Sequence, residues 1–256
     1  MVAPSLLRRI GAFLILFLLY QSAEGVGARV LHNGAAAAVI MVGALLAAWP
    51  AGKWLGYKGY DAYGLDLKTG SARLVLGGLI VMAALRLAAA FAGLANGVYS
   101  LASLPVPASW AATAMAVAGA AVSTFIPSLA EDILTRGFWL KASGIRWSGP
   151  AFVAATAAIY VLNHVYRLGD GPMEWLRLFC FGIAYAAACW KWQNLWAAVG
   201  LHWGWNLTNA ILDATVNLDA VAPGLTAVYS AGAHLMAAAL VLLWPVSGKP
   251  GALRAQ

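Results

Sequence analysis

The sequence predicts an all-α membrane protein, a polytopic bundle of about eight transmembrane helices with both termini in the cytoplasm. One integral membrane domain would span residues 1–256. Three observations carry this. Of 256 residues, 62% are hydrophobic and 10% are charged, with mean hydropathy +0.78. Soluble domains sit nearer about 45–50% apolar and about 25% charged, so an ordinary soluble globule is excluded. Apolar runs of about 20 residues, the length that crosses a bilayer as a helix, recur along the whole chain. Finally, the basic residues between those runs are unevenly shared between the two sides.

The runs fall at 8–23, 34–54, 72–95, 113–141, 148–167, 173–191, 194–214 and 223–245. In the first, Arg8 and Arg9 precede the apolar stretch Ile10–Tyr20, as in a secretory signal. No clean small-x-small cleavage site follows in Gln21-Ser22-Ala23-Glu24-Gly25, so a retained first helix is the expectation. Gly52–Ser71 is the longest polar connection. Leu-Pro, Gly-Pro and Asp-Gly-Pro pieces at 104–107, 149–150 and 170–172 break the helical pattern between runs.

With eight spans and the N-terminus inside, the inner segments hold Arg8, Arg9, Lys53, Lys58, Lys68, Arg73, Arg136, Lys141, Arg146, Lys191, Lys249 and Arg254. The outer segments hold Arg29, Arg167 and Arg177. This inner excess accounts for the net charge of +7 as a positive-inside bias, with no need for a nucleic-acid partner. Arg86 falls mid-span and belongs to neither side. Cys180 and Cys189, nine residues apart on one predicted helix, face different directions about 13 Å apart and cannot pair. Most of the 12 tryptophans sit at span ends, where indoles anchor at the interface. Trp139, Trp203 and Trp205 flank polar positions, and packing is the expected role of each.

Ionisable groups at membrane depth cost roughly 2.5–3.5 kcal/mol each on insertion scales, so they mark functional positions by default. Glu131-Asp132-Ile133-Leu134-Thr135-Arg136 is the densest group of them. On a helix Asp132 and Arg136 are i,i+4 neighbours and can pair. Glu131, rotated about 100° from Asp132, is left free to act on water as a general base. The plain alternative is a charged helix end at the cytoplasmic surface. His202 and Asn206, again i,i+4, project from one face and can both donate to one developing oxyanion. His164 lies one turn beyond Tyr160 and beside Asn163, and its imidazole can share the activation of a water. His32, in a loop, and His234, with no polar neighbour along the last span, carry no assignment. There is no His-Glu-x-x-His zinc helix and no Gly-x-Ser-x-Gly elbow. Three histidine and carboxylate ligands, Glu131, His164 and His202, could still form an open zinc site. No cofactor is expected, and a divalent metal such as zinc stays open.

In this order these residues resemble the CPBP family of intramembrane proteases, which includes CAAX prenyl endopeptidases of the Rce1 type and bacterial Abi-like proteins. Glu131-Asp132-x-x-x-Arg136 corresponds to the family's Glu-Glu-x-x-x-Arg, Tyr160-x-x-x-His164 to Phe-x-x-x-His, and His202-x-x-x-Asn206 to His-x-x-x-Asn/Asp/Ser. Phe181–Asn209 is similar to the region of the third motif. The resemblance covers about 115–215 and departs at Asp132, one methylene shorter, and at Tyr160, which adds a hydroxyl. It implies an eight-helix bundle with an intramembrane cavity. Glu131 and His164 would activate water, His202 and Asn206 would stabilise the oxyanion, and Asp132 with Arg136 would support them. For these motifs to meet, the fourth helix should run over about 118–141 with a kink at Pro127. His164 must then lie deeper than a span count gives, with span five starting late or tilting.

The resulting expectation is an integral membrane endopeptidase, sited in a bacterial inner membrane. Its partners would be the lipid bilayer and a membrane-associated or hydrophobic protein or peptide substrate. The rival readings are a non-catalytic relative, such as an immunity factor or scaffold, and a transporter. A transporter would show an internal repeat or paired broken helices, and the sequence has neither.

Overall fold

A computed structural model describes residues 4–102 and 109–245. The Leu-Pro breaker at 104–107 and the charges Lys249 and Arg254 lie outside the described residues. An α-helix stands at each of the eight apolar runs: α1 Leu6–Ser22, α2 Gly34–Trp54, α3 Ser71–Ala95, α4 Trp110–Asp132, α5 Gly149–Asn163, α6 Pro172–Trp192, α7 Leu195–Thr215 and α8 Pro223–Leu243. Two helices widen into π form without breaking, α1 over Ala23–Val30 and α4 over Ile133–Ala142. Ser5, Asn33, Ser109 and Asn194 cap their helices by accepting from backbone N–H groups, and prolines open α5, α6 and α8.

Five helical stretches are long and apolar enough to cross a membrane: Leu6–Val30, Gly34–Trp54, Ser71–Ala95, Trp110–Ala142 and Pro223–Leu243. The other three helices depart from the simple picture of eight equal spans. At 15 residues α5 is only about 22 Å long, short of a hydrocarbon core of about 30 Å. Helices α6 and α7 carry polar residues, and much of their surface is buried within the protein. The expected span 148–167 ends early as well. His164 leaves the helix at φ −84° and ψ 54°, and a tight turn over Val165–Asp170 follows. Span five therefore starts on time and stops short, instead of starting late.

The packing is that of a membrane bundle. Small side chains fill the interior, among them Ala12, Ala48, Ala184, Ala186 and Ala188, while Leu18, Val39, Leu46, Ile80, Phe91 and Leu240 face outward. Lipid offers no hydrophobic drive between helices, so close backbone approach has to supply the attraction. Along α3 and α7 it does. A Cβ at Gly200 would lie 2.5 Å from the Val75 carbonyl oxygen, and one at Gly204 would lie 2.7 Å from that of Leu79. This seam fixes the helix that carries His202 and Asn206.

Two further features lie between the helices. The connection after α2 is an ordered plug. Tyr63, fully buried, donates to the Ala48 carbonyl at 2.8 Å, Gly64 accepts from the Leu195 amide at 2.9 Å, and Asp66 pairs with Lys141 at 2.6 Å. Burial pushes the Tyr63 hydroxyl well above the usual phenol range, so it stays a donor. The bundle is all-α apart from two three-residue strands, β1 Tyr99–Leu101 and β2 Leu218–Ala220. They pair antiparallel, with Ser100 opposite Asp219, and tie the ends of α3 and α7 together.

Candidate active site

Three helices deliver the polar residues. The acids Glu131 and Asp132 close the regular part of α4, one turn after Pro127, where the helix passes into its wider π form. Such a widening re-aims side chains within a continuous helix. Arg136 reaches back one turn to the Asp132 carboxylate, and both side chains are wholly buried. The Thr135 hydroxyl donates to the Glu131 carbonyl at 2.7 Å and accepts from Arg136 at 2.9 Å. The guanidinium is further flanked by the rings of Tyr160 and Tyr185, with centroids at 4.5 and 4.9 Å. Cation–π contact of this kind is strengthened where water is absent. Arg136 is thus part of the site, and its place among the cytoplasmic loop charges is corrected: it neutralises Asp132 inside the bundle.

Glu131 is the meeting point. Its Oε1 lies 3.5 Å from His164 Nε2 on one side, and its Oε2 lies 3.6 Å from His202 Nε2 on the other. Asn163 adds an N–H to Oε1 at 3.3 Å. The two histidines come from the C-terminal cap of α5 and the middle of α7. His164 Nδ1 sits 2.8 Å from the Tyr160 carbonyl, which can only accept, so the proton is on Nδ1 and Nε2 is the nitrogen turned to the carboxylate. His202 is bracketed by both acids, with Nδ1 3.4 Å from Asp132 Oδ1. Each ring nitrogen thus faces a carboxylate, Nδ1 that of Asp132 and Nε2 that of Glu131.

Asn206, one turn beyond His202, donates to the Ser128 hydroxyl at 3.0 Å. Ser128 precedes Glu131 by one turn of α4, so the amide lies against the face of α4 that carries the acid. One N–H of the carboxamide is committed there, and the second has no hydrogen-bond partner among the described residues. Of Glu131 and its two histidines, His164 is the most open, its side chain 14% exposed against 8% for Glu131 and 3% for His202. All six residues singled out in the sequence, Glu131, Asp132, Arg136, His164, His202 and Asn206, are therefore found on the facing surfaces of α4, α5 and α7.

Several supporting residues escape a reading of the sequence. Gln21 of α1 donates to the Asn163 backbone carbonyl at 2.7 Å and to its side-chain oxygen at 3.2 Å, so the first helix buttresses the site. The only sign of this in the sequence is a glutamine at the end of an apolar run. Arg86 finds its partner in Asn209 of α7, at 2.5 Å, with Trp205 beneath the guanidinium. His234 does have polar company, contrary to expectation, in the hydroxyl of Tyr185 at 2.8 Å. Trp139, Trp203 and Trp205 pack: Trp139 against Phe13, Trp203 against Phe125, and Trp205 against Phe181. Cys180 and Cys189 are both free and buried. Among the described residues no three His, Cys, Asp or Glu side chains are arranged to hold a metal ion. The two oxygens of Glu131 are instead turned to two different imidazoles.

The family model described as Type II CAAX prenyl endopeptidase Rce1-like matches residues 113–208. No curated protein and no solved structure matches the chain. The matched stretch runs from the first turn of α4 to the middle of α7. It contains all six residues of the two acid–histidine faces but neither Gln21, Arg86 nor His234.

Proposed function

We propose that this chain, whose residues 113–208 match the Rce1-like family model, is an endopeptidase that hydrolyses a peptide bond in or near the membrane by a glutamate-driven mechanism. Two findings support the coarse frame: the matched family model is described as an endopeptidase, and five helical stretches are long and apolar enough to cross a membrane. The observation that carries the finer reading is the position of Glu131, whose oxygens face the Nε2 atoms of His164 and His202 at 3.5 and 3.6 Å.

In this reading a water sits against Glu131 and His164. Glu131 takes one of its protons as the oxygen attacks the scissile carbonyl carbon. Because Nδ1 of His164 is committed to Tyr160, only Nε2 can contact that water. The carbonyl π bond opens and negative charge develops on its oxygen. Asn206 gives its second N–H to that oxygen, and His202 gives Nε2–H while its Nδ1 faces Asp132. Preorganised donors of this kind are worth most where water is excluded. The proton held by Glu131 then passes to the leaving nitrogen, the C–N bond breaks, and a carboxylate and an amine leave. Arg136 pairs with the second acid, Asp132, so that Glu131 is the carboxylate left to handle the proton.

The fitting substrate is a hydrophobic or lipid-modified protein, or the C-terminal tail of one, presented from the bilayer. In a bacterial inner membrane these would be sorting tails, small secreted-peptide precursors or regulatory membrane proteins. The mechanism uses no resident metal. Purified protein assayed on a membrane-anchored peptide should lose cleavage in Glu131→Ala, His164→Ala and His202→Ala, while dialysis against a chelator should leave the wild-type rate unchanged. Undiminished cleavage in all three variants would end the reading. A chelator-induced loss restored by zinc would transfer Glu131, His164 and His202 to a metal site. Protection or complex formation that survives Glu131→Gln would point to a binding role instead.

A further inference from the structure

Beyond the matched stretch, α8 contributes one imidazole, and it is fully buried. His234 Nδ1 lies 2.8 Å from the carbonyl oxygen of Ser230, one turn earlier on α8. A carbonyl only accepts, so this nitrogen carries a proton. Nε2 lies 2.8 Å from the hydroxyl of Tyr185 on α6, and in the neutral ring it accepts that hydroxyl's proton. The ring is clamped by Phe181, stacked with centroids 3.4 Å apart, and by the edge of Trp205 at 4.4 Å. Every freedom of this side chain is taken up.

Tyr185 is the link to the site. It too is fully buried, and its ring stacks on His202 at 4.8 Å with an interplanar angle of 21°. His202 Nδ1 makes no hydrogen bond of good geometry and rests 3.4 Å from Asp132. The plane of the imidazole is therefore set by what lies on its faces. Tyr160 offers only an edge at 6.0 Å, whereas Tyr185 offers a parallel surface. The same Tyr185 ring also receives the Arg136 guanidinium. One phenol thus bears on two members of the site, and a histidine on a different helix fixes its rotation.

We propose that Tyr185 and His234 are positioning residues for His202. The hydrogen bond between α6 and α8 locks the ring against which His202 stacks, and this keeps Nε2 on Glu131 and Nδ1 on Asp132. The inference rests on the reading of His202 as a donor in peptide hydrolysis, and it extends the functional unit past the matched stretch into α8. A purely structural buried histidine would support the packing of α8 and leave His202 untouched.

The chain contains only four histidines, so imidazole nitrogen resonances of the full-length protein in nanodiscs can be assigned by single substitution. In Tyr185→Phe, which removes one oxygen atom, the resonances of both His234 and His202 should move while those of His32 stay. The kcat on a membrane-anchored peptide should fall about fivefold with KM unchanged, the scale of one buried hydrogen bond. His234→Gln keeps an acceptor for the phenol and should retain more activity than His234→Phe. Unmoved His202 resonances in folded Tyr185→Phe would overturn the proposal, as would equal activity in the two His234 variants. Tyr185→Phe carries the test alone if a His234 variant does not fold. The two readings fail separately. Cleavage retained in Glu131→Ala removes the peptidase mechanism but not the His202 shift, and a static His202 beside an inactive Glu131→Ala removes only the positioning role.

Discussion

The helix that carries Glu131 is a different object on either side of Pro127. None of residues 110–127 is buried, whereas every residue from Ser128 to Phe138 is. An unbroken run of buried positions is longer than any one helical face, so the second half is enclosed on all sides and the first half lies mostly open to lipid. The composition follows the environment. The open half is Ala-rich with hydroxyls bonded to their own backbone, such as Thr124 to the Ala120 carbonyl at 2.7 Å. The enclosed half holds Glu131, Asp132, Thr135 and Arg136. Lipid tolerates the first sequence but not the second, so the charged residues are affordable only where the bundle closes round them. Pro127 marks the change, and nearby hydroxyls together with Trp203 Nε1, which donates to the Ala121 carbonyl at 3.1 Å, satisfy backbone groups around it.

The contrast can be broken from the enclosed side first. Arg136→Ala leaves a fully buried carboxylate without its partner and should cost about 3–5 kcal/mol, read as thermal unfolding in detergent. A loss below that range would mean that water or another cation reaches Asp132. Next in size, Asn206→Ala removes the amide that bridges to Ser128 and should lower kcat by about 10²–10³ with little change in melting temperature. A stability loss without a rate loss would make the amide a packing residue. Smallest is the anchor of the open half. Trp203→Phe deletes one hydrogen bond to Ala121 and should cost about 1 kcal/mol of stability while cleavage continues. Abolished cleavage there would show that the two halves of α4 do not act separately.

Much of this was legible in the sequence because it is local. Apolar runs set the positions of all eight helices, and i,i+4 spacing placed Asp132 with Arg136 and His202 with Asn206. What could not be read depends on one helix meeting another. Nothing near His234 announces Tyr185, 49 residues away, and nothing near Gln21 announces Asn163, 142 residues away. Arg86 and Asn209 are likewise joined only by the glycine seam that brings α3 against α7. The end of α5 escapes hydropathy for a related reason. His164 bonds its ring to the Tyr160 carbonyl and turns out of the helix, a side-chain choice that hydropathy does not register.

The seam between α3 and α7 has a genetic corollary. Every missense change reachable from a glycine codon by one base adds at least a Cβ, and at Gly200 and Gly204 that atom would collide with the backbone of α3. In a mutagenesis screen for lost function these two codons should therefore score alongside those of the acid and the histidines. The cellular amount of protein separates the classes: alleles at Glu131 would accumulate as full-length inactive protein, and alleles at 200 and 204 would be cleared.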